Sequence, residues 1–457
     1  MNKYFIKTYI FKKIVEVKKN KILIFNNIVK TKTKWLLFMV IFSTFFGNVV
    51  NILGIRISWI FSLLTIISFC MDNYKNKEII KFETKKIGIA FTFFIFWLSY
   101  GTIQFLSIMF KNFNSNASTF YLILLINVFL VLMIFLNVKD VKDIIFFNRA
   151  LILGLCINLA ISVWEIISGN HVILMSHANQ LQFVGIPVSV FGQADDFATI
   201  IALGIVSVII NMFLTKKHLL ISYIIIFLSI FILIKTNARA PLYGFIVLLV
   251  FWLFFRLVLF LYKKNKHAFN IISFSIIIIC LITAVLYFRK YTLTQMIGQL
   301  ILLTSKQGDQ GSDFLRLQLI EKSISIFFNS HLTGVGPGQS VVLLGTNVHN
   351  FFLEILSEYG LNIIGVIAIF ISIFKAYKAK LSPWLASLIM AFVPSFVMIS
   401  ISSSSTNKLR IVWIFLSLVF LLVNFNGNNA EKPHKLVEDV KRWIRFKGKE
   451  NKKIYVK

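Results

Sequence analysis

The sequence predicts an all-α, polytopic membrane protein. Of its 457 residues, 58% are hydrophobic, and the mean hydropathy is +0.81. A soluble domain with so few polar side chains could not cover its own surface. The apolar residues also fall into uninterrupted blocks that approach the roughly 20 residues needed to cross a bilayer core. The sequence lacks the short alternating segments that characterise a membrane β-barrel.

About twelve transmembrane helices are predicted, with a long external loop, residues 289–350, between spans 9 and 10. With the N-terminus inside, inner segments carry 36 of the 48 Lys and Arg residues and external segments carry 9. This asymmetry follows the positive-inside rule, so both termini are predicted to be cytoplasmic. The predicted spans are residues 35–53, 55–70, 87–110, 119–136, 150–168, 194–214, 219–234, 241–261, 269–288, 361–374, 384–400 and 409–423.

A transmembrane domain, residues 35–425, is flanked by two basic segments, residues 1–34 and 426–457. These segments are expected to be cytoplasmic tails that lie on the anionic inner face of the membrane. Attraction to anionic lipid accounts for the formal net charge of +30, so nucleic-acid binding is not predicted. The three cysteines have no paired spacing, and the chain has no P-loop. Neither a disulfide framework, a zinc site nor ATP-driven transport is therefore predicted.

The long external loop is predicted to carry short amphipathic helices. Residues 313–329 read DFLRLQLIEKSISIFFN, with Asp313 as the predicted N-cap. A helix of this length with a one-sided apolar face is expected to lie on the outer membrane surface. The glycines of the following GVGPG segment, residues 334–338, end that helix and permit close backbone approach. The apolar positions at helical spacing are Leu317, Ile320, Ile324 and Phe327.

His349 is the candidate general base. It is placed by the sequence in the first turn of a new helix, where the positive end of the helix dipole favours the neutral imidazole. A neutral imidazole can accept the proton of an attacking hydroxyl. The alternative is a surface histidine that caps or decorates a loop.

Three arginines on the predicted external side, Arg239, Arg289 and Arg316, run against the positive-inside rule. An anionic ligand would explain them, because a guanidinium offers a planar, permanently charged fork that suits phosphate. The alternative for each is an arginine that extends to a lipid headgroup phosphate.

Acidic residues are few. Glu354 and Glu358 lie one helical turn apart and either orient a ring or sugar hydroxyl or form a solvated face. Asp195 and Asp196 begin the sixth span, where the helix dipole stabilises them. A metal site there is not favoured, since adjacent helical residues point apart. Glu165, near the outer end of the fifth span, is expected to be solvated.

These motifs, in this order, resemble the O-antigen ligase and polysaccharide polymerase superfamily. The segments that carry the resemblance are FGQADDFAT at 191–199, KTNARAPLYG at 235–244, GVGPG at 334–338 and VHNFFLEILSEYG at 348–360. Two departures are visible. The family usually has Ser where Ala238 stands, and Asn where Asp195 or Asp196 stands.

The resemblance implies a donor glycan on undecaprenyl pyrophosphate at the outer face of the bacterial cytoplasmic membrane. It implies that Arg239 and Arg316 hold the pyrophosphate and that His349 lies at the acceptor. No metal or cofactor is expected, since fixed cations can neutralise the leaving pyrophosphate. Membrane lipids are expected partners, with the flippase and the chain-length regulator of the same pathway as further candidates. The secondary candidate residues are Arg289, Asn350, Glu354, Glu358 and Asp196.

The leading functional hypothesis is a polymerase that joins lipid-linked repeat units into a capsular, exopolysaccharide or O-antigen chain. The alternative is a ligase that transfers the finished glycan to a lipid or protein acceptor. A second alternative is a flippase that transports lipid-linked oligosaccharide, although the two halves of the chain look unlike and the polar residues gather on one side.

Overall fold

A computed structural model describes residues 32–46, 51–52, 55–76, 82, 84–111, 115–172, 185–264, 312–400 and 408–425. Helices dominate this part of the chain. They are α1 (32–43), α2 (Ile57–Asn76), α3 (Lys85–Lys111), α4 (Ser115–Asn137), α5 (Val141–Ser168), α6 (Ala194–Thr215), α7 (Leu219–Lys235), α8 (Arg239–Lys264), α9 (Ser312–Asn329), α10 (Gln339–Leu344), α11 (Phe351–Tyr359), α12 (Ile363–Phe374), α13 (Pro383–Ile399) and α14 (Arg410–Asn424).

The elements other than α-helix are short. Antiparallel strands β1 (Asn51–Ile52) and β2 (Ile55–Arg56) form a single two-residue pair between α1 and α2. Single turns of 3-10 helix follow three of the α-helices, at Thr44–Phe46, Gly360–Asn362 and Lys375–Lys378. The strand pair departs from the all-α prediction but adds no sheet layer to the bundle.

The predicted class, a polytopic helical membrane protein, is confirmed. Six helical segments in the described residues are long and apolar enough to cross a membrane, and four shorter helices are also apolar. The count of twelve is not established. Predicted span 269–288 lies outside the described residues, and the helix of the first span ends at residue 43. Predicted span 361–374 forms part of a longer helical segment, Phe351–Lys378.

The core of the bundle surrounds α14, in which every residue from Arg410 to Asn424 is buried. Most of α6 is buried as well. Aromatic rings fill the space beside α14: the Trp413 ring lies 5.4 Å from the rings of both Trp97 and Phe351, between centroids. Aromatic side chains of this size bury large apolar areas, so they fix how α3 and α11 pack on α14.

Helices α8 and α13 pack side by side in antiparallel orientation. Near the start of α8, a Cβ atom at Gly244 would lie 3.2 Å from the Ser395 carbonyl oxygen of α13, so glycine allows the two backbones to approach closely. The Ser395 hydroxyl donates a hydrogen bond of 2.7 Å to the Gly244 carbonyl oxygen. Further along α8, the Trp252 indole N–H donates to the Trp384 carbonyl oxygen at 3.0 Å.

This packing brings several helix ends together. The first residue of α8 lies at the same end of the bundle as the last residue of α13, because the two helices are antiparallel. Ser400, which follows α13, accepts a hydrogen bond of 3.3 Å from the backbone N–H of Phe351, the first residue of α11. We call this the glycine-turn end of the bundle, after residues 330–338, which also lie there.

Candidate functional site

Arg239 is the first residue of α8. The preceding residues turn the chain between α7 and α8: the Thr236 hydroxyl donates to the Leu233 carbonyl oxygen at 2.7 Å, and Asn237 adopts a left-handed φ of 54°. Ala238 is buried, whereas the Arg239 side chain is exposed. In the part of the chain that the structure describes, no side chain pairs with the Arg239 guanidinium. Its charge is therefore available to a ligand.

The glycine turn, residues 330–338, is hydrogen-bonded along the C-terminal half of α11. The backbone N–H groups of Val335 and Gly336 donate to the carbonyl oxygens of Ser357 and Glu358, each at 2.9 Å. The Leu361 N–H donates in the opposite direction, to the Leu332 carbonyl oxygen at 3.1 Å. These bonds satisfy carbonyls at the end of α11 that have no partner within the helix.

Glycine is required where the two backbones meet. Gly334 has a φ of 77°, and a Cβ atom there would lie 2.5 Å from the Glu358 carbonyl oxygen. Gly360 has a φ of 58°, and a Cβ atom there would lie 2.5 Å from the Thr333 carbonyl carbon. The close backbone approach predicted for the GVGPG segment is thus confirmed, and its partner is α11.

Helix α3 supports the turn from the other side. The Tyr100 hydroxyl donates to the Thr333 carbonyl oxygen at 2.7 Å. The Gln104 side-chain amide donates to the same oxygen at 3.0 Å and to the Glu358 carbonyl oxygen at 3.3 Å. These contacts could not be inferred from the sequence, because they join residues more than 200 positions apart.

His349 lies just before α11 and not in its first turn, which corrects the predicted placement. It has a left-handed φ of 54°, and its side chain is half-buried. Asn350 is the N-cap: its side-chain oxygen accepts from the backbone N–H groups of Phe352 at 3.0 Å and Leu353 at 3.1 Å. The cap fixes where the helix begins and therefore the backbone position from which the His349 side chain extends.

Glu354 and Glu358 share one face of α11 and are buried, with exposed fractions of 2% and 0%. The predicted alternative of a solvated face is therefore wrong. The Ser340 hydroxyl donates to the Glu358 carboxylate at 2.7 Å. Glu354 and Tyr359 line a narrow cavity with room for about one water molecule. Both carboxylates thus lie in the interior, on the helix that the glycine turn packs against and that His349 precedes.

Two basic residues at this end were not singled out from the sequence. The Lys408 ammonium donates to the Asn347 side-chain oxygen at 3.0 Å and lies 4.0 Å from the Phe120 ring centroid. Arg410 is buried at the start of α14 and donates to the Ser58 hydroxyl. Both residues lie at the predicted external side, where basic residues run against the positive-inside rule. The argument used for Arg239 could therefore have identified them from the sequence.

The remaining candidates are placed as follows. The backbone of Arg316 is part of α9, which packs on α11, but the structure does not describe the Arg316 side chain. Arg289 also lies outside them. Asp196 lies in the first turn of α6. Among the described residues, no three His, Cys, Asp or Glu side chains are grouped so that they could hold a metal ion.

Glu165 is buried and not solvated, which corrects the expectation from its place near a span end. One carboxylate oxygen accepts from the backbone N–H groups of Val188 at 3.0 Å and Ser189 at 2.8 Å. The other lies 3.3 Å from the Nδ1 atom of His171. Glu165 therefore anchors the segment that leads into α6.

Helix α9 confirms the predicted helix at 313–329, beginning one residue earlier at Ser312. Leu319 and Ser323 are buried, whereas Ile320 and Ile324 have exposed fractions of 37% and 39%. Two of the four positions predicted to form the apolar face therefore point away from the bundle. Exposed apolar residues on such a helix are suited to contact with lipid.

A family profile described as O-Antigen ligase matches residues 224–370. The resemblance to the O-antigen ligase and polysaccharide polymerase superfamily is confirmed. The matched residues include Arg239, Arg289, Arg316 and His349, whereas Asp196 lies outside the match.

A relative spans most of the chain. The Teichuronic acid biosynthesis protein TuaE of Bacillus subtilis (strain 168) is 23% identical over 413 residues, covering 83% of this chain and 82% of the relative. Together with the apolar helices, these similarities indicate a multi-pass membrane protein of a bacterium.

Proposed function

We propose that this chain is a membrane glycosyltransferase that polymerises a surface polysaccharide from repeat units carried on undecaprenyl pyrophosphate. The glycine-turn end of the bundle faces the outer side of the cytoplasmic membrane, where the lipid-linked donor is presented. The basic residues predicted on the inner side of the membrane support this orientation. A flippase and a chain-length regulator of the same pathway are the candidate protein partners.

One observation carries the proposal. Arg239 is exposed, has no partner among the described residues, and lies at the same end of the bundle as His349. An arginine that served only to pack the helices would be buried or paired. An available guanidinium at the same end of the bundle as an imidazole supplies the two groups that transfer from a pyrophosphate requires.

The reaction follows from these groups. The bond between the anomeric carbon of the donor sugar and the pyrophosphate oxygen breaks, and both electrons leave with the pyrophosphate. Arg239, with Arg316, stabilises the charge that develops on that leaving group. The acceptor hydroxyl oxygen forms the new glycosidic bond, and its proton passes to the neutral imidazole of His349. No metal is required, because the fixed cations neutralise the leaving group.

Polymerase and ligase share this chemistry and differ in the acceptor. The relative is named for the biosynthesis of teichuronic acid, which supports a role in making a polymer. The matching family is described as O-Antigen ligase, which supports the alternative. We favour the polymerase, since the relative is similar over most of this chain and the family match covers residues 224–370 only.

The test is to incubate the purified protein in lipid nanodiscs with lipid-linked repeat units and to separate the products by length. We expect a ladder of longer glycans that remain on the carrier lipid, formed without any membrane gradient. His349→Ala should abolish or strongly reduce the ladder at an unchanged protein level.

Other outcomes separate the alternatives. Transfer of a preformed glycan to a second acceptor, with no ladder, would indicate a ligase. Movement of the donor between leaflets without its consumption would indicate a flippase and would refute enzymatic transfer. Full activity of His349→Ala would refute the assignment of the base while leaving the transferase in place.

A further inference from the structure

We propose that Lys408 is a positioning residue, which holds the loop that carries His349 in register with the buried carboxylates of α11. This inference rests on the proposed function, since it concerns how the general base is oriented. Lys408 lies two residues before α14 and far from His349 in sequence. It nevertheless interacts with the segments on both sides of the histidine.

The first contact is with the loop that precedes the histidine. The Lys408 ammonium donates a hydrogen bond of 3.0 Å to the side-chain oxygen of Asn347, two residues before His349. The same ammonium lies 4.0 Å from the centroid of the Phe120 ring on α4. The hydrogen bond and the cation–π contact together restrict the position of the ammonium, which in turn restricts the position of the Asn347 side chain.

The second interaction is electrostatic and is with α11, which follows the histidine. Lys408 lines the same narrow cavity as Glu354, and its charge acts on the buried Glu358. Burial disfavours the charged form of a carboxyl group unless a cation is close. Lys408 supplies that cation from just before α14, the most buried helix of the described bundle.

His349 therefore lies between two segments that one ammonium joins. Its left-handed backbone and the Asn350 cap set the direction of the chain, but the cap alone does not fix the loop against α14. A general base displaced by about 1 Å can lose about 100-fold in rate. Removing the ammonium should thus lower turnover without weakening donor binding.

The test compares Lys408→Met, Lys408→Arg and the control Lys111→Met, an exposed lysine at the end of α3, under the polymerisation assay. Lys408→Met should lower kcat by about 10- to 100-fold, with the donor KM changed by less than about threefold. Lys408→Arg, which keeps the charge and a donor, should recover most of the rate. Lys111→Met should behave as the unsubstituted protein.

A double-mutant cycle with His349→Ala identifies the route of the effect. If Lys408 acts through His349, adding Lys408→Met to the His349→Ala variant should lower kcat by less than a further factor of about three. Two independent losses that multiply would overturn the proposal, because a purely structural role would reduce both backgrounds equally. A large rise in donor KM would also overturn it, since Lys408 would then bind the pyrophosphate directly.

Hydrogen exchange provides a readout that does not depend on activity. Amides in residues 345–353 should exchange at least about tenfold faster in Lys408→Met than in Lys111→Met. Equal protection would overturn the proposal. If the unsubstituted protein consumes no donor, the proposed function fails, and the exchange measurement still decides whether Lys408 orders this loop.

Discussion

The Arg239 guanidinium is the side chain on which the proposed transfer most depends. It is exposed at the first residue of α8, on a helix whose packing against α13 is fixed by Gly244 and Ser395. The backbone at this position is therefore rigid although the side chain is available. A rigid origin reduces the entropy that the side chain loses when it binds an anion.

Replacing Arg239 tests the geometry of this interaction as well as its charge. We expect Arg239→Ala to lower glycan transfer by about 100-fold or more, as for other donors that stabilise a leaving charge. Arg239→Lys should still be about tenfold slower, because a point charge makes one of the two charge-assisted hydrogen bonds of the fork. Initial rates with lipid-linked donor measure both effects.

Arg149, an exposed arginine in the first half of α5, provides the matched control. Arg149→Ala removes the same charge from the protein, so equal losses at both positions would point to net charge and not to a site. Full activity of Arg239→Lys would contradict bidentate recognition of the pyrophosphate.

Among elements, α11 concentrates most of the site. Its N-cap follows His349 directly, its buried face carries Glu354 and Glu358, and its C-terminal carbonyls bind the glycine turn. A change at one end of this nine-residue helix is therefore expected to reach the other end.

Removing the cap of α11 should affect activity more than stability. Asn350→Ala removes two hydrogen bonds and should cost about 1 kcal/mol, with a larger loss of turnover because His349 precedes the cap. Ser382→Ala is the control, since Ser382 caps α13 in the same way through the Leu385 N–H. Both variants should lower the melting temperature in detergent by similar amounts, and only Asn350→Ala should lower kcat. A matching loss of kcat in Ser382→Ala would indicate general destabilisation.

Two glycines, one in the glycine turn and one directly after α10, allow the cost of a crowded Cβ atom to be measured at nearly constant φ. Gly334 and Gly345 have φ angles of 77° and 73°, but a Cβ atom at Gly345 would meet nothing within 4 Å. Gly345→Ala should therefore cost about 1–2 kcal/mol, from the left-handed backbone alone. Gly334→Ala should cost about 1–3 kcal/mol more, because the Glu358 carbonyl must move. Equal melting temperatures for the two variants would contradict the tight backbone contact.

These elements show what the sequence can and cannot predict. Apolar blocks predicted the helices because each must be apolar over its own length to cross the bilayer. The burial of Glu358 was not predictable, since it depends on Ser340 and on a turn whose position is set by Tyr100 and Gln104. The GVGPG motif indicated a close backbone approach without naming its partner. Lys408 was missed because its role arises from Asn347, 61 residues earlier in the chain.

For the molecule as a whole, function depends on which end of the bundle faces outward. Cysteines introduced at Lys111 and Leu343, both exposed at the glycine-turn end, should react with a membrane-impermeant maleimide in intact cells. Cysteines at Lys216 and Lys217, between α6 and α7, should react only after lysis. A background with Cys70, Cys156 and Cys280 replaced by Ser removes the native thiols.

Labelling of Lys217→Cys in intact cells, with protection of Leu343→Cys, would reverse the orientation. The candidate site would then face the cytoplasm, where a flipped donor is not presented, and the proposed role would fail. The positive-inside rule makes the outward orientation of the glycine-turn end the expected result.

The hydrogen bond from Phe351 to Ser400 has a consequence for sequence change elsewhere in the chain. Arg239 is held by α8, α8 packs on α13, and α13 leads through Ser400 to the start of α11 and to His349. This connection does not pass through residues 265–311. Substitutions in that segment are therefore expected to leave the relative placement of Arg239 and His349 unchanged.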